Sequence, residues 1–220
     1  MIVVNTDAQQ VNCNDLIEDD DYLFYYKNSN TPFSGICVDY HSNGIKMLEK
    51  SYINGIEEGK FSEWHKSGEK LCEGYFFDGV QDSIWTWWDK NGQIQVKGTY
   101  SEGLGNGLWC YYKENGVIDR MGKVINDKET GNWEYWNENN KKYLDHEFQN
   151  GVLHGKETWR YDDNKIMLER YYVDGVLEGI FTAWYKNGQK RFEGNYKNGE
   201  VIRKIEWDES GKAISIESPE

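Results

Sequence analysis

From Gly35 onward the chain repeats itself every 24 residues, with copies beginning at Gly35, Gly59, Ser83, Gly107, Gly131, Gly155 and Gly179. The tenth position of these copies holds Gly44, Gly68, Gly92, Gly116, Asn140, Asn164 and Gly188. Gly and Asn are the residues that best tolerate left-handed backbone, so this position is set by conformation and not by chemistry. Turn formers precede it: Asn43, Ser67, Asn91, Asn115, Asn139, Asp163 and Asn187. A second turn closes each copy, at Asn54-Gly55, Asp78-Gly79, Glu102-Gly103, Asn126-Asp127, Asn150-Gly151, Asp174-Gly175 and Asn198-Gly199. Asn-Gly between alternating apolar runs predicts tight type I′ hairpins, with positive φ at both central residues; Asn187-Gly188 and Asn198-Gly199 show both turns of one copy. Two turns per copy leave two strands of about six residues. The expected fold is therefore all-β, an antiparallel meander of fourteen strands with caps.

The flanks differ from the copies. Residues 1–30 read as an N-terminal cap: a polar, acidic stretch containing Asp19 to Asp21, then a first strand over Tyr22 to Tyr26. Residues 31–202 hold the seven copies. Residues 203–220 read as a partial copy around Trp207 and Gly211, with a frayed tail over Glu217 to Glu220.

The formal charge of −13 argues against nucleic acid and anionic membrane as partners, since both require a basic footprint. It suits a basic partner. No apolar stretch approaches the ~20 residues of a membrane helix, and the start MIVVNTDAQQ carries no secretory pattern. Cys13, Cys37, Cys72 and Cys110 lie far apart with no CxxC pair, which predicts reduced thiols and a cytoplasmic location.

Aromatic residues recur in register. The third position carries Phe61, Trp85, Trp109, Trp133 and Phe181, with Cys37 and Glu157 as exceptions. The sixth carries Tyr40, Trp64, Trp88, Tyr112, Trp136 and Trp184, with Arg160 as the exception. The eighteenth carries Tyr52, Phe76, Tyr100, Val124, Phe148, Tyr172 and Tyr196. The sixteenth is Gly at Gly74, Gly98, Gly122 and Gly194, where bare backbone leaves room for a neighbouring ring to lie flat. Such rows supply a core to a sheet of hairpins. Copies three to five add a further ring at the fifth position, Trp87, Tyr111 and Tyr135, beyond what neighbouring copies use to fold.

No motif for catalysis is present: no GxSxG, no phosphate-cradling loop, no HExxH and no Cys/His cluster. His41 and His65 share the seventh position of adjacent copies, about 10 Å apart by strand spacing, too far to share a metal. The carboxylates of the fifteenth position (Glu49, Glu73, Asp145, Glu169, Glu193) form a periodic row, not an isolated pair with one shifted pKa. The expectation is a protein that is not an enzyme and takes no cofactor or metal.

The unit G-x-W/F-x-x-W-x-x-N-G…G-x-Y-x-N-G resembles the variant MORN repeat (MORN-2 type). Seven tandem copies behind Thr31 to Gly35 (TPFSG) resemble the bacterial YwqK-type antitoxin family. The resemblance covers about residues 22–202. It implies an elongated, twisted, single-layer sheet of hairpins, and an immunity partner that neutralises a cognate toxin by direct binding. Copy six departs most, with Glu157, Arg160 and Asn164; copy four has Asp127 for glycine and Val124 for the ring.

Two functions follow: an antitoxin for a basic toxin, with acidic rows steering the encounter, or a scaffold that gathers another protein or itself through exposed edge strands. The expected contact surface is the ring-dense centre: Trp85, Trp87, Trp88, Trp109, Tyr111, Tyr112, Trp133, Tyr135 and Trp136.

Overall fold

The computed structural model describes residues 9–217; the first eight residues and the tail 218–220 lie outside the described residues. Among the described residues the chain is all-β, with one 3-10 turn at Cys13–Asp15 and no α-helix. It divides into two compact units, the first ending at Gly107 and the second beginning at Leu108.

In the first unit Gly35–Tyr40, Lys46–Ile53, Ile56–Trp64, Lys70–Phe77, Val80–Trp88 and Ile94–Ser101 pair antiparallel in chain order. The N-terminal segment departs from the expected meander: Gln10–Asn12 pairs parallel with Gly35–Tyr40. Leu16–Glu18 and Phe24–Tyr26 form a small sheet of their own. In the second unit the hairpins run from Ile118–Ile125 and Lys128–Trp136 through Lys142–Gln149, Val152–Arg160 and Ile166–Val173 to Gly179–Trp184 and Lys190–Lys197. Glu200–Trp207 and Ala213–Glu217 add a further hairpin, and Glu217, expected to fray, pairs with Lys204.

Most strands of the copies are eight or nine residues long where six were expected, because they run on through a turn or copy boundary; Gly35–Tyr40, Gly107–Tyr112 and Gly179–Trp184 keep six. Ile56–Trp64, for example, crosses Gly59, which sits at φ 96°. The pairing skips there: Lys50 faces Phe61 while Tyr52 faces Glu57, a bulge that absorbs the extra residues. This is why six of the seven copies begin on glycine; Ser83, the exception, holds φ 61°.

The two turns of a copy are different. At the second, both residues take positive φ, as at Asn54 (51°) and Gly55 (83°), which is the type I′ geometry. At the first, only the tenth position does, as at Gly44 (82°). There the Gly44 N–H donates to the His41 carbonyl and the His41 N–H to the Ile45 carbonyl, both at 2.8 Å. This is a three-residue loop, a type I turn closed by a left-handed residue. The type I′ expectation at Asn187-Gly188 is thereby corrected. Asn187 keeps an ordinary φ because its side chain is occupied locally, its Oδ1 accepting the Gln189 N–H at 2.9 Å.

Successive copies are stitched along both turn rows. At the first turn, His41 Nε2–H, Tyr161 Oη–H and Tyr185 Oη–H donate to the carbonyls of Trp64 (2.8 Å), Trp184 (2.8 Å) and Trp207 (2.9 Å). At the second, Gly79, Gly175 and Gly199 N–H donate to the carbonyls of Glu57, Leu153 and Leu177 at 2.8–3.0 Å.

The cap buries a conventional core. Val11, Phe33, Cys37 and Tyr52 are buried together, with Cys13, Leu16 and Phe24 packed against them. Cys13 and Cys37 are joined as a disulfide, which corrects the expectation that all four cysteines are reduced thiols; Cys72 and Cys110 remain thiols. Sequence spacing hid the pair because the parallel strand lays Cys13 beside the third position of copy one.

Candidate protein-binding site

The nine ring residues fall in both units, and none is fully exposed. In the first unit Trp85 is 3% exposed and lies over Gly74, where an added Cβ would come within 2.2 Å of the indole. Its Nε1–H donates to the Tyr75 carbonyl at 3.2 Å. Phe61, Phe76 and Trp87 surround it at centroid distances of 5.2, 5.4 and 5.9 Å. Trp88 is half-buried beneath the Lys70 ammonium, 5.8 Å from the ring centroid. In the second unit Trp133 is fully buried over Gly122, and its Nε1–H donates to the Lys123 carbonyl at 3.1 Å. Tyr111 sits between Trp109 (6.3 Å) and Trp133 (6.2 Å), with the Arg120 guanidinium 4.3 Å from its centroid. Tyr135 packs on His146 at 5.2 Å; Tyr112 and Trp136 are half-buried.

The fifth-position rings were expected to be surplus to folding. Trp87 and Tyr111 instead lean on the third-position tryptophans and cover them, so their exposed area is what remains after a structural contact.

Charge is distributed unevenly. The carboxylate row of the fifteenth position is neutralised by lysines: Lys46 pairs with Glu49 (2.6 Å), Lys60 and Lys70 with Glu73, Lys142 with Asp145 (2.8 Å), Lys156 with Glu169 (2.5 Å) and Lys190 with Glu193. Glu73 accordingly titrates below its ordinary range: burial pushes it up, and hydrogen bonds from Lys70 and Lys60 outweigh that. The first-turn row of the first unit is balanced, Lys66 and Lys90 against Glu69 and Asp89. Its second-turn row is not. Glu58, Asp78, Asp82 and Glu102 have no lysine or arginine partner among the described residues, and Phe77, Val80 and Leu104, within two residues of them in the chain, are exposed. The acidic run Asp19 to Asp21 turns beside the first member of this row, where the Phe24 N–H donates to the Gly55 carbonyl at 2.9 Å.

Copy six forms an ionic seam. Glu157 takes the aromatic slot and is 2% exposed. His146 Nδ1 lies 3.1 Å from its Oε1, and Arg170 Nε pairs with its Oε2. Burial pushes the Glu157 carboxyl up, but hydrogen bonds from His146 and Arg170 hold it down at about 2. Beside it Arg160 Nη2 pairs with buried Asp145 at 3.2 Å. The signal was in the sequence: the copy that loses its ring also has Arg170 at the sixteenth position and follows His146, where four copies have glycine. His41 and His65 bond to backbone: His65 Nε2 lies 3.4 Å from the Trp88 carbonyl and His41 Nε2 2.8 Å from that of Trp64.

Three stretches, residues 81–102, 153–174 and 177–198, match the MORN repeat variant. All three begin at the same phase of the 24-residue period, and the second lies over copy six despite its departures. No curated protein matches the chain. Among solved structures, a chain in the crystal structure of a GtfA/B complex bound to UDP and GlcNAc is similar at 13% identity and TM-score 0.18, over 68% of this chain and 27% of that one. A likeness at that level carries no argument. MORN-type repeats make this a repeat array of the kind that serves as a binding scaffold.

Proposed function

We propose that this chain is a non-catalytic repeat protein that binds another protein, and that its partner is a basic bacterial toxin which it neutralises as an antitoxin or immunity protein. The observation that carries the reading is the segregation of charge. The fifteenth-position row is neutralised, while among the described residues Glu58, Asp78, Asp82 and Glu102 of the second-turn row of the first unit have no lysine or arginine partner and stand near exposed apolar side chains. Unpaired carboxylates on an accessible row accelerate encounter with a cationic surface, and the adjacent apolar groups hold it. The acidic rows that steer the partner are thus the turns. The MORN-type repeat supports binding, and the resemblance of the tandem copies behind Thr31 to Gly35 to the YwqK-type family motivates the toxin.

We place the encounter in the cytoplasm. The Cys13–Cys37 bond argues the other way, since disulfides persist in oxidising compartments; thiol counting on protein isolated from its own cell decides this point. The functional test is co-expression with the product of the adjacent reading frame. Rescue of growth and co-purification, both lost at raised salt or on Asp78→Asn with Glu102→Gln, support the reading. Failure of both rescue and co-purification sinks it and leaves the general scaffold.

A further inference from the structure

The Cys13–Cys37 disulfide fastens a short segment of the cap to the first strand of copy one. That segment, Gln10–Asn12, pairs parallel with Gly35–Tyr40 over three residues: Gln10 beside Ile36, Val11 beside Cys37 and Asn12 beside Val38. The Ile36 N–H donates to the Gln9 carbonyl at 3.0 Å. Val11 is buried, whereas Gln9, Gln10 and Asn12 are exposed. The rest of the cap is tied down separately. The Lys27 N–H donates to the Asp15 carbonyl (2.9 Å), the Phe24 N–H to the Gly55 carbonyl (2.9 Å) and the Gly55 N–H to the Phe33 carbonyl (2.7 Å). Asn14 adds an exposed bond from Nδ2 to Asp39 Oδ2 at 3.3 Å. The two sulfurs differ in access: Cys37 is fully buried, while Cys13 is half-buried on the 3-10 turn between exposed Asn12 and Asn14.

We propose that this bond is a redox latch, which a dithiol reductant opens to release Gln10–Asn12 from the edge of copy one. A thiolate of the dithiol attacks Cys13 Sγ, the accessible sulfur; the Sγ–Sγ bond breaks, and Cys37 leaves as a thiolate and takes up a proton. The second thiol of the reductant then attacks its own sulfur in the mixed disulfide. Cys13 leaves as a thiol, and the dithiol ends as a disulfide, having given up two electrons and two protons. Without the link, one buried valine and a three-residue ladder hold the segment, and local opening of so small a contact is far easier than unfolding of the unit. Release turns Gly35–Tyr40 into an open edge, with N–H and C=O groups unpaired on that side, while its antiparallel pairing with Lys46–Ile53 remains. The latch therefore acts on the end of the array and leaves the hairpins in place. It does not depend on what the partner of this chain is.

The test follows amide exchange by NMR in the full chain under three conditions: oxidised with glutathione disulfide, reduced with dithiothreitol, and as the variant Cys13→Ser, which cannot form the bond. The amide of Ile36 reports the latch, and the amides of Lys70–Phe77 report unfolding of the same unit. Reduction should raise exchange at Ile36 by about tenfold or more, Cys13→Ser should match the reduced protein, and reoxidation should restore the slow rate. In the reduced protein, exchange at Ile36 should be insensitive to low urea, as a local opening exposes little surface, whereas exchange at Lys70–Phe77 should stay slower and rise steeply with urea. Exchange at Ile36 that is unchanged by reduction overturns the proposal. So does exchange at Ile36 that tracks Lys70–Phe77 in rate and urea dependence, since the bond would then be a staple of the whole unit. A bond that dithiothreitol opens only in urea, or that glutathione disulfide cannot form in the native protein, overturns it as well.

Discussion

Gly74→Ala should destabilise the first unit, although local propensity predicts the opposite sign. Gly74 lies inside a strand and has ordinary backbone angles, so alanine there should gain about 0.5–1 kcal/mol from reduced freedom of the unfolded chain. The added Cβ, however, would sit 2.2 Å from the Cδ2 and Cε2 atoms and 2.6 Å from the Cγ atom of Trp85. Those are interior atoms of a 3%-exposed side chain, which cannot swing its far end aside. A buried tryptophan covers about 200 Å², or ~5 kcal/mol of transfer free energy. Lifting it off the sheet uncovers about half of that and breaks the Nε1–H bond to the Tyr75 carbonyl, a further ~1 kcal/mol. The net expectation is a loss of about 2–4 kcal/mol. Urea unfolding followed by tryptophan fluorescence and far-UV circular dichroism measures it. A double-mutant cycle isolates the cause: in a Trp85→Ala background, Gly74→Ala should cost nothing or stabilise. If Gly74→Ala alone lies within ~0.5 kcal/mol of wild type, or costs the same in both backgrounds, the ring-over-glycine account fails.

Glu157→Gln should cost about 3 kcal/mol at neutral pH by leaving the Arg170 charge without its partner, as read from urea midpoints. The Glu157 carboxyl is depressed to about 2, so its contribution is complete above the ordinary carboxylate pKa and is lost as pH falls from about 5 to about 2; Glu157→Gln should lack that part of the acid transition. Cys72 is buried and its thiol is pushed up to about 12, first by burial and then by Glu63, so mass spectrometry after iodoacetamide treatment at pH 8 should find it unmodified in native protein and modified in urea. Reducing the Cys13–Cys37 bond, which spans 24 residues, should lower stability of the first unit by roughly 3 kcal/mol, measured by paired melts with and without reductant; identical melts would show that the bond does not form. Asn164→Gly should stabilise by about 0.5–1 kcal/mol, since Asn164 holds φ 68° at a tenth position where glycine carries no steric cost.

The repeat made most of the fold legible. Positive φ at the tenth position and at both residues of the second turn was readable from Gly, Asn and Asp, with Glu102 the one other occupant, because few residues tolerate that backbone. The first turn was misread because Asn-Gly is compatible with two loops. The choice is made by side-chain and backbone hydrogen bonds, as between His41, Asn43 and Ile45, that no dipeptide shows. The disulfide was hidden because it depends on a parallel pairing of Gln10–Asn12, a non-local contact outside the period. The candidate site was half legible. The ring rows were read correctly as rows, but their burial depends on which ring lies against which glycine in the next strand. The free charge was misassigned for the same reason: the fifteenth-position carboxylates look like a solvated row until the lysine three residues earlier is seen to fold back onto them.

One slot, the contact between a sixteenth position and the third position of the following copy, accounts for the departures of copy six. Where the sixteenth residue is Gly74 or Gly122, the following third residue is a tryptophan laid flat on it. Where it is Lys50 or Arg170, the following residue is the smaller Phe61 or Phe181, with the cation near the ring at 5.8 and 6.0 Å. Where it is His146, the following residue is Glu157, and the contact is ionic. Each solution fills the same space with a different pair, and each would fail if only one member were exchanged: a tryptophan has no room over lysine, and a buried glutamate has no partner over glycine. Random loss would break pairs. At the junction of copies five and six both members differ together, His146 with Glu157, and Arg170 also pairs with Glu157, so the junction has kept the repeat's geometry while replacing its chemistry.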